Sequence, residues 1–587
     1  MSLLAELSEL VGKVFANLGL DPSLGQVQVS SRPELAEFQC NGALVAAKSA
    51  GRSARELAQE VVDRLDSASS IVQKAEVAGP GFINLTITDE ALTRFVNSTS
   101  DDPQLGVPKA DPARVVLVDY AGPNVAKAMH VGHIRATIIG DSLARLFRFL
   151  GHQVIRDPHF GDWGLQMGQV IAAIEERWPD LPYFTSDGPY PDESPVTLAD
   201  LQELYPISAA RTEADEAWAD RARKITVDLQ QGHPGYRALW RHMKTVSEKS
   251  QRQDFANLGV EFDLWYGESD VADQLGALVE GLRAKGLVKE SDGALVLSVT
   301  EEGDNRELPP LILETSKGAY LYGTTDLATL EHRVRDLGVE VALYVVDARQ
   351  SDHFQVLFRA ARKAGIISEQ VVVEHIRFGT MNGPDGKPFK TRAGGIVALA
   401  DLIEMITEKA RERLEEADIA QAYPDSEREK IARQVGVAAL KFGDLINNRV
   451  SDYLFDLDRF SSFEGKTGPY LQYGVVRIQS IERRAAELGL EAGPIEPPTV
   501  EAERNLMLAL LRLPEVAERA AELRAPNHLA EYAFDLTATW NRFYETCRII
   551  DERNPRRRAS WITLAGVTRR VLVKVLDLLG IEVPERM

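Results

Sequence analysis

The chain has 587 residues, enough for about three to five domains at roughly 100–200 residues each. Hydrophobic residues make up 44 % and charged residues 26 %, which excludes wholesale disorder and fibrous repeats. Lys and Arg number 67 against 88 Asp and Glu, and this net charge of −21 argues against a general nucleic-acid binder, because phosphate affinity rests on Lys and Arg.

The chain opens with a helical pattern, MSLLAELSELVGKVFANLGL, that mixes Glu and Lys into apolar positions, unlike a signal peptide. Residues 1–108 read as a small α+β unit. Within it, Val77 to Ile87 (VAGPGFINLTI) places a Gly-Pro-Gly turn before an alternating strand. A Pro/Asp-rich link, Asp101 to Pro112, closes the unit. Arg114–Tyr120 (RVVLVDY) then reads as a buried parallel strand. A turn at Ala121–Asn124, a helix containing Ile134–Leu150 and a strand beginning at Gly151–Ile155 follow. This is the opening of an α/β nucleotide-binding fold. Residues 175–220 break the rhythm with 12 Asp/Glu against two Lys/Arg. They predict part of a surface insertion lying within about 175–310. The α/β pattern resumes at Tyr320–Tyr322, Val341–Val346 and Val371–Arg377, which makes 109–400 one α/β domain. From about Leu402 the strands vanish, and 401–587 reads as a separate all-α domain.

Cys40 and Cys547 form no CxxC or zinc pattern, and no Cys/His cluster has metal spacing. Two such cysteines fit a reducing compartment. No run of about 18 apolar residues occurs, so no membrane span is expected and the cytoplasm is the expected location.

The sharpest motif is Asn124-Val-Ala-Lys127-Ala-Met-His130-Val-Gly132-His133, between the first α/β strand and its helix. A nucleotide phosphate binds at such a helix start. Two imidazoles either side of a glycine can face that phosphate, and Gly132 presents no side chain to block the nucleotide. Lys127 adds positive charge one turn upstream. Such groups stabilise charge developing on a phosphoryl group. A second motif, Thr380-Met-Asn-Gly-Pro-Asp-Gly-Lys387-Pro-Phe-Lys390-Thr391-Arg392, clusters cations after a Gly-rich turn. It suits closure over a polyphosphate, although alone it reads as a solvated basic loop.

With these motifs in place, the segment Asp119–Gln169 resembles the signature stretch of class I arginyl-tRNA synthetases. His130–His133 match that class's HIGH motif, and Gly161-Asp162-Trp163-Gly164 follows at the family's distance. Lys387–Thr391 occupy the place of the KMSKS loop in a degenerate form, with Pro388 and Phe389 replacing Met and Ser. The resemblance implies a Rossmann-type catalytic domain with an insertion, the N-terminal α+β domain peculiar to the family, and an all-α C-terminal anticodon-binding domain. It implies arginine–tRNA ligation with ATP and its Mg2+, tRNA(Arg) and L-arginine as partners, no zinc, no membrane, and a monomer. His130 and His133 are then expected at the α/β-phosphates and Lys390 at the β/γ-phosphates, with Gly132 and Lys387 in the ATP site and Lys127 as supplement.

For the amino acid, the resemblance assigns Asp119, Tyr322, Asp326 and Gln350 to arginine and Asn124 to its backbone groups. Tyr322 and Asp326 lie four apart, within one helical turn. Phe82 and Asn84 are candidates for the tRNA D-loop, with a core-strand role the alternative for Phe82. Tyr470 and Tyr473 lie three apart in the C-terminal domain and are candidates for stacking anticodon bases, or for packing between helices. The triplet Arg556–Arg558 could track phosphates. Two other classes of function compete: a small nucleotidyltransferase using His-x-Gly-His, and a non-catalytic synthetase-like tRNA-binding module. Length argues against the first, and the intact His, Lys and carboxylate set against the second.

Overall fold

The computed structural model describes every residue except 1, 31, 33, 66–69, 307, 317, 384, 388, 390–396 and 420–422. Ser2 caps the first helix, α1 (Leu3–Asn17), which buries one stripe of Leu3, Leu7, Val11, Val14 and Phe15. Strands β1 (Val27–Val29) and β2 (Phe38–Cys40), helices α2 (Gly42–Ala50) and α3 (Ala54–Leu65), strands β3 (Val72–Ala78) and β4 (Phe82–Ile87), and helix α4 (Asp89–Asp101) complete an α+β unit. Its antiparallel sheet has the order β1-β2-β4-β3. The Gly-Pro-Gly turn is a hairpin joining β3 and β4, with Ala78 opposite Phe82. Ile83, Leu85 and Ile87 enter the core, so Phe82, Asn84 and Thr86 lie on the other face.

The next unit is built on β5 (Val115–Tyr120), α5 (Val131–Phe149), β6 (Gln153–Asp157) and α6 (Leu165–Arg177). Helices α7 (Leu198–Ala214), α8 (Glu216–Gln230), α9 (Pro234–Asn257) and α10 (Leu275–Ala284) follow, then strands β7 (Val288–Ser291), β8 (Ala294–Leu297) and β9 (Leu311–Glu314) in a small antiparallel sheet. The parallel sheet is completed through α11 (Tyr322–Arg335), β10 (Val341–Val345), α12 (Ser351–Ala364) and β11 (Val372–His375). Its order is β11-β10-β5-β6. The chain moves outward from β5 to β6 and then returns to β10 on the other side, so the topological switch lies between β5 and β10. There Asp119 stands opposite Tyr344 on one side and Asp157 on the other.

Expectations for the catalytic unit need correction at two places. The run Tyr320–Tyr322 is not a strand. Tyr320 makes a single bridge to Glu314, and Tyr322 opens α11, because the apolar residues that follow it, Leu327, Ala328 and Leu330, recur at helical spacing. The acidic stretch is also more than surface. Tyr183, Val196, Leu201 and Leu204 are buried against α6 and α9 in a core of their own.

The short strand β12 (Met381–Asn382) leads into the C-terminal part: α13 (Leu399–Glu416), α14 (Asp425–Leu445), β13 (Tyr453–Leu454), α15 (Leu457–Phe460), α16 (Gly468–Glu487), α17 (Glu501–Leu510), α18 (Leu513–Glu522), α19 (Asn527–Thr546) and α20 (Pro555–Leu578). Strand β13 pairs in parallel with β12, so this region is helical but not strand-free. Helix α5 is clamped between the parallel sheet and these helices. Arg135 Nε donates to Asp444 of α14 at 3.0 Å, Ser142 Oγ donates to the Leu578 carbonyl at 2.8 Å, and Arg145 pairs with Asp577 at 3.0 Å. Among the described residues no helix is long and apolar enough to cross a membrane.

Candidate active site

His130 is the N-cap of α5, and the two imidazoles form a reciprocal cap. The Gly132 N–H donates to His130 Nδ1 at 3.1 Å, and the His130 N–H donates to His133 Nδ1 at 3.1 Å. With both Nδ1 atoms accepting, the ring proton of each neutral imidazole sits on Nε2. Burial, reinforced by Lys127, brings His130 down to about 4. Burial, with His130 and Lys127 adding to it, brings His133 down to about 3. Both rings are therefore neutral Nε2–H donors at pH 7, their centroids 4.1 Å apart and their planes tilted by 39°, at the positive end of a helix. Gly132 has a structural reason of its own: a Cβ there would lie 2.8 Å from His130 Cε1. Lys127 has no carboxylate partner among the described residues, which leaves its charge available.

The second motif is anchored beside the first. The Gly383 N–H donates to the Lys387 carbonyl at 2.7 Å, and the Lys387 N–H donates to Asp385 at 3.1 Å, closing a tight turn that leaves Lys387 exposed. Phe389 packs 5.2 Å from Phe455. Beyond the loop, the Val131 N–H donates to the Val397 carbonyl at 3.2 Å and the Leu399 N–H to the Met129 carbonyl at 3.0 Å. The described residues on either side of the loop are thus Met381–Asn382 in β12 and Val397 beside the start of α5. Lys390 lies outside the described residues.

The first turns of α11 and α12 meet at the carboxyl end of the sheet. Asp326 lies 2.7 Å from His353 Nε2, and the His353 ring is 4.9 Å from Tyr322. Tyr322 is 60 % exposed, an unusual state for a large aromatic and one that suits a binding surface. Gln350 stands at the entrance to α12 with its side chain exposed. A further carboxyl, Glu268, faces this corner. Burial first, then Asp326 and Asp162, push it up to about 8. One of its oxygens accepts the Trp163 N–H at 3.2 Å. Asp162 fixes the turn that carries Glu268 by accepting from the Ser269 N–H and hydroxyl at 2.9 and 2.6 Å, and it pairs with Lys244 at 2.7 Å. Sequence reasoning missed Glu268 and His353. His353 had a faint signal, three residues after Gln350 on one helix face, whereas Glu268 reaches the site only through this long-range tie.

Asp119 is placed differently from the other candidates. It is buried at the end of β5, where one Arg333 nitrogen lies 2.7 Å from it and 2.6 Å from Asp157. Burial raises Asp119, and Arg333 opposes that shift. Asp119, Asp157 and His159 bring one ligand atom each within 4.8 Å of one another, but the guanidinium of Arg333 already bridges the two carboxylates. Asn124 is oriented by Gln166, whose Nε2 donates to Asn124 Oδ1 at 3.2 Å, which leaves the Asn124 amide N–H groups as donors.

Distant from this corner, Asn84 Oδ1 accepts from Gln39 Nε2 at 2.9 Å on the face of β4 that also bears the half-buried Phe82. The Tyr470 hydroxyl accepts from Asn541 at 2.9 Å, and its ring packs 5.7 Å from Phe534. Tyr473 lies under Arg477, 5.1 Å from ring to guanidinium. Of the arginine triplet, Arg558 donates to the Glu552 carbonyl and Arg557 lies 3.9 Å from Glu503, while Arg556 is exposed.

A parallel sheet with its switch beside a His-x-Gly-His helix start, bearing an anchored Lys-rich loop, defines the catalytic unit of a class I aminoacyl-tRNA synthetase. The family models agree. The tRNA synthetases class I (R) catalytic domain matches residues 96–457, the arginyl tRNA synthetase N terminal domain residues 2–87, and the DALR anticodon binding domain residues 471–587. The arginine–tRNA ligases of Maricaulis maris and Hyphomonas neptunium are 48 % and 47 % identical to this chain, over 100 % of both chains in each case. The crystal structure of Plasmodium falciparum arginyl-tRNA synthetase superposes with a TM-score of 0.83 at 25 % identity, covering 100 % of this chain and 99 % of that one. Thermus thermophilus arginyl-tRNA synthetase gives 0.81 at 25 % identity, covering both chains fully. The chain belongs to the arginyl-tRNA synthetase family.

Proposed function

We propose that this chain is an arginine–tRNA ligase that activates L-arginine with ATP and transfers it to the 2′-hydroxyl of the terminal adenosine of tRNA(Arg). In the first step an arginine carboxylate oxygen attacks the α-phosphorus, the bond to the bridging oxygen breaks, and pyrophosphate leaves. In the second the ribose hydroxyl attacks the acyl carbon of the arginyl-adenylate, and AMP leaves. Positioning and charge stabilisation supply most of the rate in such chemistry. The observation that carries the proposal is the pair of Nε2–H donors at the start of α5, on the same carboxyl end of the sheet as the corner that gathers Asp326, Glu268 and Tyr322.

His130 and His133 donate to the phosphates as negative charge builds on them. Lys127, Lys387 and Lys390 supply cations toward the pyrophosphate, and the Mg2+ that accompanies ATP would share that neutralisation. Asp326 and Glu268 suit the planar cation of the substrate side chain, with Tyr322 and Gln350 at its rim. Asn124 offers its amide N–H groups to the substrate's backbone carboxyl end, and Asp119, with its charge partly held by Arg333, lies at the floor. We assign residues 1–108, through Phe82 and Asn84, to the D-loop, and residues 401–587, through Tyr470 and Tyr473, to the anticodon. A cytoplasmic monomer completes the proposal.

The test is ATP–pyrophosphate exchange with and without tRNA. L-Arginine should support exchange and L-lysine should not, and the arm without tRNA shows whether activation requires it. Lys390→Ala should slow exchange without changing tRNA affinity. Unchanged exchange in that variant moves its role to Lys127, and exchange driven equally by lysine contradicts the proposal.

A further inference from the structure

The first turns of α11 and α12 are joined across the pocket by one side-chain hydrogen bond, between His353 and Asp326 at 2.7 Å. An ionised carboxylate only accepts, so His353 Nε2 carries the proton and donates. The His353 ring is held in turn, 4.9 Å from Tyr322 and 5.3 Å from Phe354, and its side chain is 14 % exposed. Phe354 is itself buried, with its ring 4.6 Å from His375 of β11 and 5.1 Å from Tyr344 of β10. His353 is thus braced against the sheet, and its bond to Asp326 transmits that rigidity to a carboxylate that is 24 % exposed.

That rigidity has a chemical use. A guanidinium is planar and binds a carboxylate through two parallel N–H bonds, which requires the two groups to be coplanar. A compact ammonium makes no such demand. An aspartate with no partner samples several rotamers and pays to be fixed when the ligand arrives. We propose that His353 is a positioning residue that sets the carboxylate plane of Asp326 and so favours a guanidinium-bearing amino acid over one ending in an ammonium group. The inference rests on the reading of this corner as the arginine pocket. His353 acts through Asp326 and has no role at the phosphates.

Steady-state charging at saturating tRNA separates the two claims. Asp326→Asn tests the pocket and should raise KM for arginine by tenfold or more, on the order of a lost charge-assisted bond. His353→Phe keeps a ring against Tyr322 and Phe354 and removes the donor. It should raise KM for arginine about tenfold while kcat and KM for ATP stay within about twofold. His353→Gln places an amide N–H near the position of Nε2 and should restore most of the loss. Asp326→Asn combined with His353→Phe should be no worse than Asp326→Asn alone. If His353→Phe fails to fold, His353→Asn, whose amide falls short, takes its place in the comparison with His353→Gln. A normal KM for arginine in Asp326→Asn overturns the pocket reading and the inference with it. An impaired Asp326→Asn beside a normal His353→Phe overturns the inference alone. Multiplicative losses in the double variant, or no rescue by Gln, also overturn it.

Discussion

In the proposed function His130 and His133 act as donors, and that role requires them to stay neutral. Each Nδ1 is occupied by a backbone N–H, and burial beside Lys127 holds the two rings at about 4 and about 3. The unfolded chain takes up protons on these histidines near 6.5. Between that value and about 4 it therefore binds more protons than the folded state, so folding stability from this pair is intact above pH 6.5 and falls as the pH is lowered. The activation rate should show no titration from either ring between pH 6 and 8. Losing one preorganised donor, as in His133→Ala, should cost about 100- to 1000-fold in pyrophosphate exchange, with His133→Gln milder. A bell-shaped profile that loses its acid limb in His133→Gln would contradict the neutral-donor role. Glu268 predicts the opposite coupling. With its carboxyl held up to about 8, it is mostly protonated at pH 7, and a neighbouring guanidinium favours the anion. Arginine binding should then release a proton, and affinity should rise with pH from 6 to 8. Calorimetry in buffers of different ionisation enthalpy reads this directly. Equal apparent enthalpies in all buffers, or an unchanged difference in Glu268→Gln, would argue against it. His130, His133, Asp326 and Gln350 could be singled out in the sequence because each sits in a short contiguous stretch, and the structure places them at or near the starts of α5, α11 and α12. Glu268 could not, since its place depends on Asp162 gripping Ser269 across more than 100 residues of chain.

Helix α5 carries the proposed catalytic pair, His130 and His133, at its start and is held along its length by the C-terminal helices. Gly140 lets it approach β5 closely, for a Cβ there would fall 2.2 Å from the Tyr120 ring. Arg135 and Asp444 form a fully buried ion pair between α5 and α14. Removing one partner strands a buried charge, so Asp444→Ala should lower stability by about 3–5 kcal/mol. A double replacement of Arg135 and Asp444 by apolar residues of similar volume should recover much of that loss. Thermal unfolding of the three proteins tests this, and a double variant as unstable as Asp444→Ala would contradict it. Most elements were legible from periodicity: β5, α5 and β10 fall where the apolar runs place them. Tyr320–Tyr322 misled because three apolar or aromatic residues fit either period, and the helical spacing that decides the case begins only after Tyr322.

The charge of −21 gains meaning from its distribution. Residues 175–220 contribute −10 of it, on helices and turns whose apolar faces are buried against α6 and α9. The remainder leaves room for local cations such as Lys127, Lys387 and Arg477. On the proposed function, affinity for RNA should rest on placed aromatics and a few cations, with little general attraction to phosphate. The sequence conveyed the order of the three units but not how they lock together, because pairs such as Arg145 with Asp577 join residues hundreds of positions apart. The central claim is arginine-specific charging of tRNA. Total tRNA, ATP and each of the twenty amino acids in turn, with acid-stable esterified product counted, tests it most directly. Arginine alone should be esterified, with AMP and pyrophosphate released in equal amounts. Charging with another amino acid, or with none, would contradict the account.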